Sequence, residues 1–120
     1  MTQDFKKLAV WQKAHQLTLE IYKQSRKFPF DERFGLTQQI RRSVTSVVLN
    51  IAEGTSGSNK RLEKYLVIAQ GSCKETECNL MICNGLNFID NNICNQLTEK
   101  CRILQASIQN FINTVKKNGK

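Results

Sequence analysis

The sequence predicts an all-α protein folded as an antiparallel, up-down-up-down four-helix bundle, and three observations carry that reading. Apolar residues recur at steps of three and four along nearly the whole chain, the spacing of a single helix face. One Pro and six Gly are few interruptions for 120 residues. The breaks that do occur, at Phe28-Pro29, from Gly54 to Asn59 and at Asp90-Asn91-Asn92, divide the chain into four segments. Connections this short force successive helices to run antiparallel.

The first helix is expected from about Lys7 to Lys27, with Val10, Ala14, Leu17 and Ile21 on one face and Trp11 and Tyr22 at its edge. Phe28-Pro29 ends it, because the residue before proline is pushed out of the helical region. The second starts near Thr37, an N-cap by residue type, and aligns Ile40, Val44, Val47 and Ile51 before Gly54 closes it. Ser58 or Asn59 caps a long third helix that reaches about Ile89, and Asp90-Asn91-Asn92 forms a polar turn. In the last helix Leu97, Cys101, Leu104, Ile108, Phe111 and Val115 alternate steps of four and three, the seam of a bundle helix. Lys116 to Lys120 is expected to fray. Residues 1–120 make one domain, long enough to bury roughly two-thirds of its unfolded surface without a metal or disulfide.

The third helix carries more apolar surface than one bundle needs. At about 100° per residue, Leu62, Tyr65, Leu66, Ala69, Cys73, Leu80 and Cys83 share one face, whereas Val67, Ile68, Cys78, Ile82, Leu86 and Ile89 fall largely opposite. Leu49 likewise points away from the stripe of the second helix. Two stripes imply a second buried contact, so a homo-oligomer is expected, with Leu49, Val67, Ile68, Ile82 and Leu86 as candidate interface residues.

Composition excludes several classes. A mean hydropathy of −0.42 and the absence of any apolar run near the roughly 20 residues of a spanning helix argue against a membrane protein. The start lacks the apolar core of a secretory signal, so the cytoplasm is the expected compartment. Five Cys, at 73, 78, 83, 94 and 101, form an odd set without a CxxC pair, and free thiols in apolar stripes are expected over metal or redox use. With His15 as the lone imidazole and no Glu-x-x-His motif, the di-metal bundle pattern is absent, and no cofactor, metal or small-molecule substrate is expected. Asp31-Glu32 reads as solvated or helix-starting acids. The loop GTSGSNKR lacks P-loop spacing and reads as a turn between helices.

The net charge of +8 points towards an acidic partner. Its carriers are grouped as Lys6-Lys7, Lys23-Arg26-Lys27, Arg41-Arg42, Lys60-Arg61-Lys64 and Lys116-Lys117-Lys120. Of these, Lys23, Arg26, Lys27, Arg41, Arg42, Lys60, Arg61 and Lys64 are the candidate phosphate contacts, solvated helix faces being the plainer explanation of the same charges. Most aromatic residues lie on apolar stripes, so no stacking platform for bases is expected.

The residues FGLTQQIRRSVTSVVLNIAEG, Phe34 to Gly54, and IAQGSCKE, Ile68 to Glu75, resemble the four-helix bundle proteins called 23S rRNA intervening-sequence proteins. The likeness extends through Trp11-Gln12-Lys13-Ala14 and Phe28-Pro29, leaving out only the last helix. It marks Gln39, Asn50, Glu53, Gly54 and Gly71 as family-motif positions, and implies a ring-like homo-oligomer, a pentamer. It also implies an association with nucleic acid: some members are encoded in inserts of bacterial large-subunit rRNA genes, and a distant relative is accessory to a reverse transcriptase. Two departures stand out, Val48 where relatives commonly carry Pro, and Thr55 to Ser58 where they often carry Arg. Asn50 and Glu53 read either as polar groups that satisfy loop N–H groups or pair with Arg, or as part of a binding surface. The expected function is therefore a non-enzymatic, homo-oligomeric helical scaffold that binds RNA or an RNA–protein complex through a basic surface. The alternative is a protein-interaction adaptor without direct RNA recognition, and Glu53 with Arg42 is the only pair that suggests catalysis.

Overall fold

The computed structural model describes residues 4–118. Four helices, α1 (Ala9–Ser25), α2 (Leu36–Gly54), α3 (Asn59–Gly85) and α4 (Asn91–Asn118), form a bundle of 47 × 23 × 20 Å. Short 3-10 turns, Phe5–Lys7 and Phe30–Glu32, precede α1 and α2. Each helix packs on its sequence neighbours, α1 closes the square against α4, and the diagonal pairs stay apart.

Side-chain register gives the directions. Gln39 meets Asn79, Thr76 meets Ser43, Ser46 meets Ser72 and Gly54 closes on Leu62, so rising numbers on α2 face falling numbers on α3. The same reversal relates α1 to α2 (Thr18 to Val44, Ser25 to Arg41), α3 to α4 (Gln70 to Gln109, Leu80 to Cys94) and α1 to α4 (Lys13 to Ser107, Glu20 to Lys100). The bundle is therefore antiparallel throughout.

The apolar stripes read from the sequence meet along the axis. Leu17, Ile21, Ile40, Val44, Val47, Ile51, Leu66, Leu80, Leu104 and Ile108 are essentially solvent-free, with Cys73, Cys83 and Cys101 filling small gaps between them. Phe28, beside Pro29, packs its ring against Phe88 with centroids 5.6 Å apart. That contact puts the α1–α2 and α3–α4 connections at one end of the bundle.

Helix ends depart from expectation in ways that have physical causes. Thr37 is not the α2 N-cap: Gly35 occupies that position, and Glu32 supplies the missing acceptor, its Oε1 taking a hydrogen bond from Leu36 N at 3.0 Å. Ser58 does cap α3, accepting from Arg61 N. α3 stops at Gly85 and not near Ile89, because Asn87 takes a left-handed conformation (φ 65°). Phe88 N then donates to Cys83 O at 2.8 Å and Asn87 N to Asn84 O at 2.9 Å, the paired bonds of a Schellman stop. This turn carries Ile89 into the core, away from the outer stripe expected for it. Asp90 then starts α4, its Oδ1 accepting from Ile93 N at 2.8 Å. The polar turn is thus largely the first turn of a helix. At the other end α4 continues through Lys116 and Lys117 instead of fraying there, while Gly119 and Lys120 lie outside the described residues. α2 runs unbroken through Val48.

Because an L-residue held at positive φ costs about 1–2 kcal/mol unless it is Asn or Gly, Asn87→Val should lower the denaturant midpoint by that equivalent. Asn87→Gly should leave it unchanged or raise it. All five cysteines are free thiols, and all but Cys78 are buried. Burial first, and then the neighbouring Cys94 and Glu32, push the Cys83 thiol up to about 11, and Cys94 and Cys101 are also raised. These thiols therefore stay protonated near neutrality. Alkylation of native protein, read by mass spectrometry, should spare Cys73, Cys83, Cys94 and Cys101 until denaturant is added.

Candidate functional site

Two of the basic groups lie at opposite ends of the bundle. At the end marked by Phe28 and Phe88, residues 22–45 carry six Lys or Arg against Asp31 and Glu32 alone. Here α1, the turn after Pro29 and the start of α2 enclose an open concavity of about 350 Å³. Tyr22, Arg33, Phe34, Thr37, Gln38, Arg41, Arg42 and Thr45 line it. No acidic residue contributes to the wall.

Arg41 and Arg33 are each aimed by specific contacts. Arg41 Nε donates to Ser25 Oγ at 2.7 Å, and its guanidinium lies 4.7 Å from the centroid of the Tyr22 ring. Both supports come from α1, so the α1–α2 packing orients Arg41 in the wall of the concavity. Arg33 stacks on Phe30 at 4.0 Å and on Phe34 at 4.7 Å, and donates from Nη1 to Phe30 O. Arg42 follows Arg41 on α2 and is exposed. Among the described residues none of the three arginines pairs with a carboxylate. The nearest acid by sequence, Glu32, is turned onto the start of α2.

Sequence reasoning missed Arg33, Phe34 and Tyr22 as site residues, and it missed the aromatic surface. Phe30 and Phe34 are 77% and 79% exposed, too open to belong to the core. The available signal was their position after Pro29, in a segment without helical periodicity, where a large apolar side chain has no stripe to join.

The other candidates lie elsewhere. Lys23 borders a separate furrow between α1 and α4, shared with Glu20 and Gln96, and Arg26 and Lys27 are exposed at the end of α1. A second α1–α4 concavity contains Lys13 and Lys100, but Lys100 is bound to both oxygens of Glu20. Lys60, Arg61 and Lys64 stand at the far end, and Glu53, the α2 residue that Arg61 meets, is roughly 16 Å of helical rise from Arg42. Arg61 is held by Glu53, by Ser56 Oγ and over the Tyr65 ring. Its charge is largely spoken for within the chain.

That pairing also places Glu53, which meets Arg61 and is three helical turns from Arg42. Asn50 bonds back to Ser46, through O at 2.7 Å and Oγ at 3.0 Å, and not to the loop. Gln39 donates to Asn79 Oδ1 across the α2–α3 seam. A Cβ on Gly54 would stand 3.0 Å from Leu62 Cδ1 and 3.1 Å from Tyr65 Cβ, so the α2–α3 turn requires a small residue there. Gly71 differs: nothing lies within 4 Å of a Cβ built on it.

The outer stripe of α3 is uncovered by the chain itself. Leu49, Val67, Ile68, Ile82 and Leu86 are between 41% and 66% exposed, as are Met81 and Leu19. Cys78 is exposed on the same helix. Among the described residues no His, Cys, Asp or Glu cluster is arranged to hold a metal, and no helix is long and apolar enough to cross a membrane. His15 is exposed and stacks on Trp11 with centroids 4.8 Å apart.

Fold and site together define an all-α four-helix bundle with an arginine-lined, aromatic-edged concavity at one end. Residues 6–110 match the family described as 23S rRNA-intervening sequence protein, and the chain belongs to that family. It is similar over 87% of its length, at 23% identity and a TM-score of 0.77, to a crystal structure of a protein of unknown function from the S23 ribosomal protein family of Bacteroides thetaiotaomicron VPI-5482. The match covers 98% of that chain and speaks to the fold. No curated protein matches.

Proposed function

We propose that this protein is a non-enzymatic helical scaffold that assembles with copies of itself and binds RNA, alone or within an RNA–protein complex, through the basic end of the bundle. The observation that carries the RNA reading is the convergence of Arg33, Arg41 and Arg42 on one concavity without a carboxylate. Guanidinium groups present planar, forked donors suited to phosphate, and pre-orientation by Ser25 and Tyr22 reduces the ordering required on binding. A family described by an intervening sequence of 23S rRNA makes RNA the polyanion to test first. The non-enzymatic reading is supported by His15 lying on the surface and by Glu53 being engaged with Arg61, far from Arg42.

Self-assembly is supported by α3. Ile68, Gly71, Glu75, Cys78, Ile82 and Gly85 follow each other at alternating steps of three and four, the spacing of a helix–helix seam. Gly71, inside α3, disfavours a helix by about 1 kcal/mol relative to Ala, yet neither it nor Gly85 relieves a clash within the chain. A second backbone approaching α3 gives them a use. Five copies is the number the family resemblance implies, and a ring would repeat the arginine concavity around its surface.

Filter binding across a salt series should show log K falling linearly with log salt, and Arg41→Gln or Arg42→Gln should each flatten the slope by roughly one. Arg61→Gln should change it little. Absence of RNA affinity at low salt would sink the reading, and retention of a protein partner after nuclease treatment would then favour the adaptor. Sedimentation of the wild type should give an oligomer, and Ile68→Asp with Ile82→Asp a folded monomer. A wild type that stays monomeric at micromolar concentration contradicts self-assembly.

A further inference from the structure

We infer that the arginine concavity is a subsite for an unpaired nucleotide, with a backbone phosphate on Arg41 and Arg42 and the base stacked on Phe34; this rests on the RNA reading above and narrows it to single-stranded segments. A binding surface for duplex alone needs positive charge and shape, because the bases of a duplex are stacked on one another and A-form grooves are read mostly through backbone and 2′-hydroxyl groups. An exposed aromatic ring beside that charge has no role in such contact. Two such rings are present, and they are the most exposed of the large apolar side chains.

Their geometry matches base stacking. Phe34 belongs to the wall of the concavity, and the Arg33 guanidinium lies over both its ring and that of Phe30. Arg33 thus occupies part of the aromatic surface and holds it in place, while Phe34 stays 79% exposed. A base stacks on the part of Phe34 that Arg33 leaves open. Thr37, Gln38 and Thr45 border the space between the ring and the α2 arginines and provide hydrogen-bonding groups there. A volume of about 350 Å³ is large for a lone phosphate and falls within the range of small-ligand clefts. Leaving Phe30 and Phe34 in water disfavours the free protein without aiding its core, and stacking removes them from water.

The test is fluorescence anisotropy with the full-length protein across a salt series, comparing an unstructured RNA oligonucleotide with a blunt-ended RNA duplex carrying the same number of phosphates. The wild type should prefer the unstructured oligonucleotide. Phe34→Leu should weaken that binding roughly five-fold or more, leave duplex binding unchanged, and keep the salt slope of the wild type. Phe34→Tyr, which restores a ring, should restore the affinity, so that a folding defect is separated from a lost platform. Equal affinity of Phe34→Leu and wild type for the oligonucleotide overturns the nucleotide subsite while leaving RNA binding by charge intact. A 5′-mononucleotide that competes as strongly as the oligonucleotide overturns the assignment to an RNA strand. Failure to bind either RNA overturns the RNA reading itself.

Discussion

The polar seam between α2 and α3 is the constraint from which the rest of the structure follows. Gln39 donates to Asn79, Asn79 and Thr76 both donate to Ser43, and Ser46 and Ser72 share a hydrogen bond at 2.8 Å, with Asn50 returning to Ser46. Several of these residues are buried, and among the described residues no buried side-chain N or O lacks a partner. A purely apolar seam tolerates sliding; this one does not. Leaving one buried polar group unpaired costs about 1–3 kcal/mol, so a slip that unpaired three would cost on the order of 3–9 kcal/mol, comparable to a domain's whole stability of about 5–15 kcal/mol. Gly54 closes the same seam at its turn, where even a Cβ would press on Leu62 and Tyr65 at 3.0–3.1 Å.

With that register set, the functional surfaces are placed. α2 is held against α3 along one side and packs an adjacent flank on α1, where Ser25 and Tyr22 receive Arg41. Glu32 completes the start of α2 and forms no ion pair with the arginines. At the far end the α2–α3 turn folds Glu53 onto Arg61, so one cation of that basic cluster is paired by the connection that forms it, whereas Lys60 and Lys64 are not paired among the described residues. Two groups that look alike as runs of Lys and Arg are therefore electrostatically different. The seam also turns the outer stripe of α3 away from the core, leaving Ile68, Ile82 and Leu86 in solvent within a single chain.

Much of the fold was legible because its determinants are periodic. Ile40, Val44, Val47 and Ile51 lie one turn apart and are all fully buried, and the second stripe of α3 is exposed as its angular position implies. The α3 cap was legible to within one residue, Ser58 or Asn59, because both types favour that position, and Ser58 holds it. Asn87 was not: its left-handed φ depends on carrying Phe88 against Phe28 and Ile89 into the core, which is a tertiary matter. The Gly35 and Glu32 start of α2 was hidden in the same way, since Thr37 looks like a cap until its burial is known. The site was legible only in part. Arg41 and Arg42 form a visible pair, but Arg33 is isolated in sequence, and Phe30 and Phe34 look like core residues to any reading that counts aromatics without a period to place them. The pairing of Arg61 with Glu53 spans a turn whose geometry residue types alone do not specify.

Ultraviolet cross-linking of the intact protein to a short, uridine-rich, unstructured RNA, with tryptic mapping of the modified peptides, tests the location of the binding surface most directly. If RNA lies in the arginine concavity with a base on Phe34, the adduct falls on the peptide from Phe34 to Arg41 and disappears in Phe34→Leu. Adducts confined to the far end, on the peptide that contains Tyr65 beside Lys64, would contradict it.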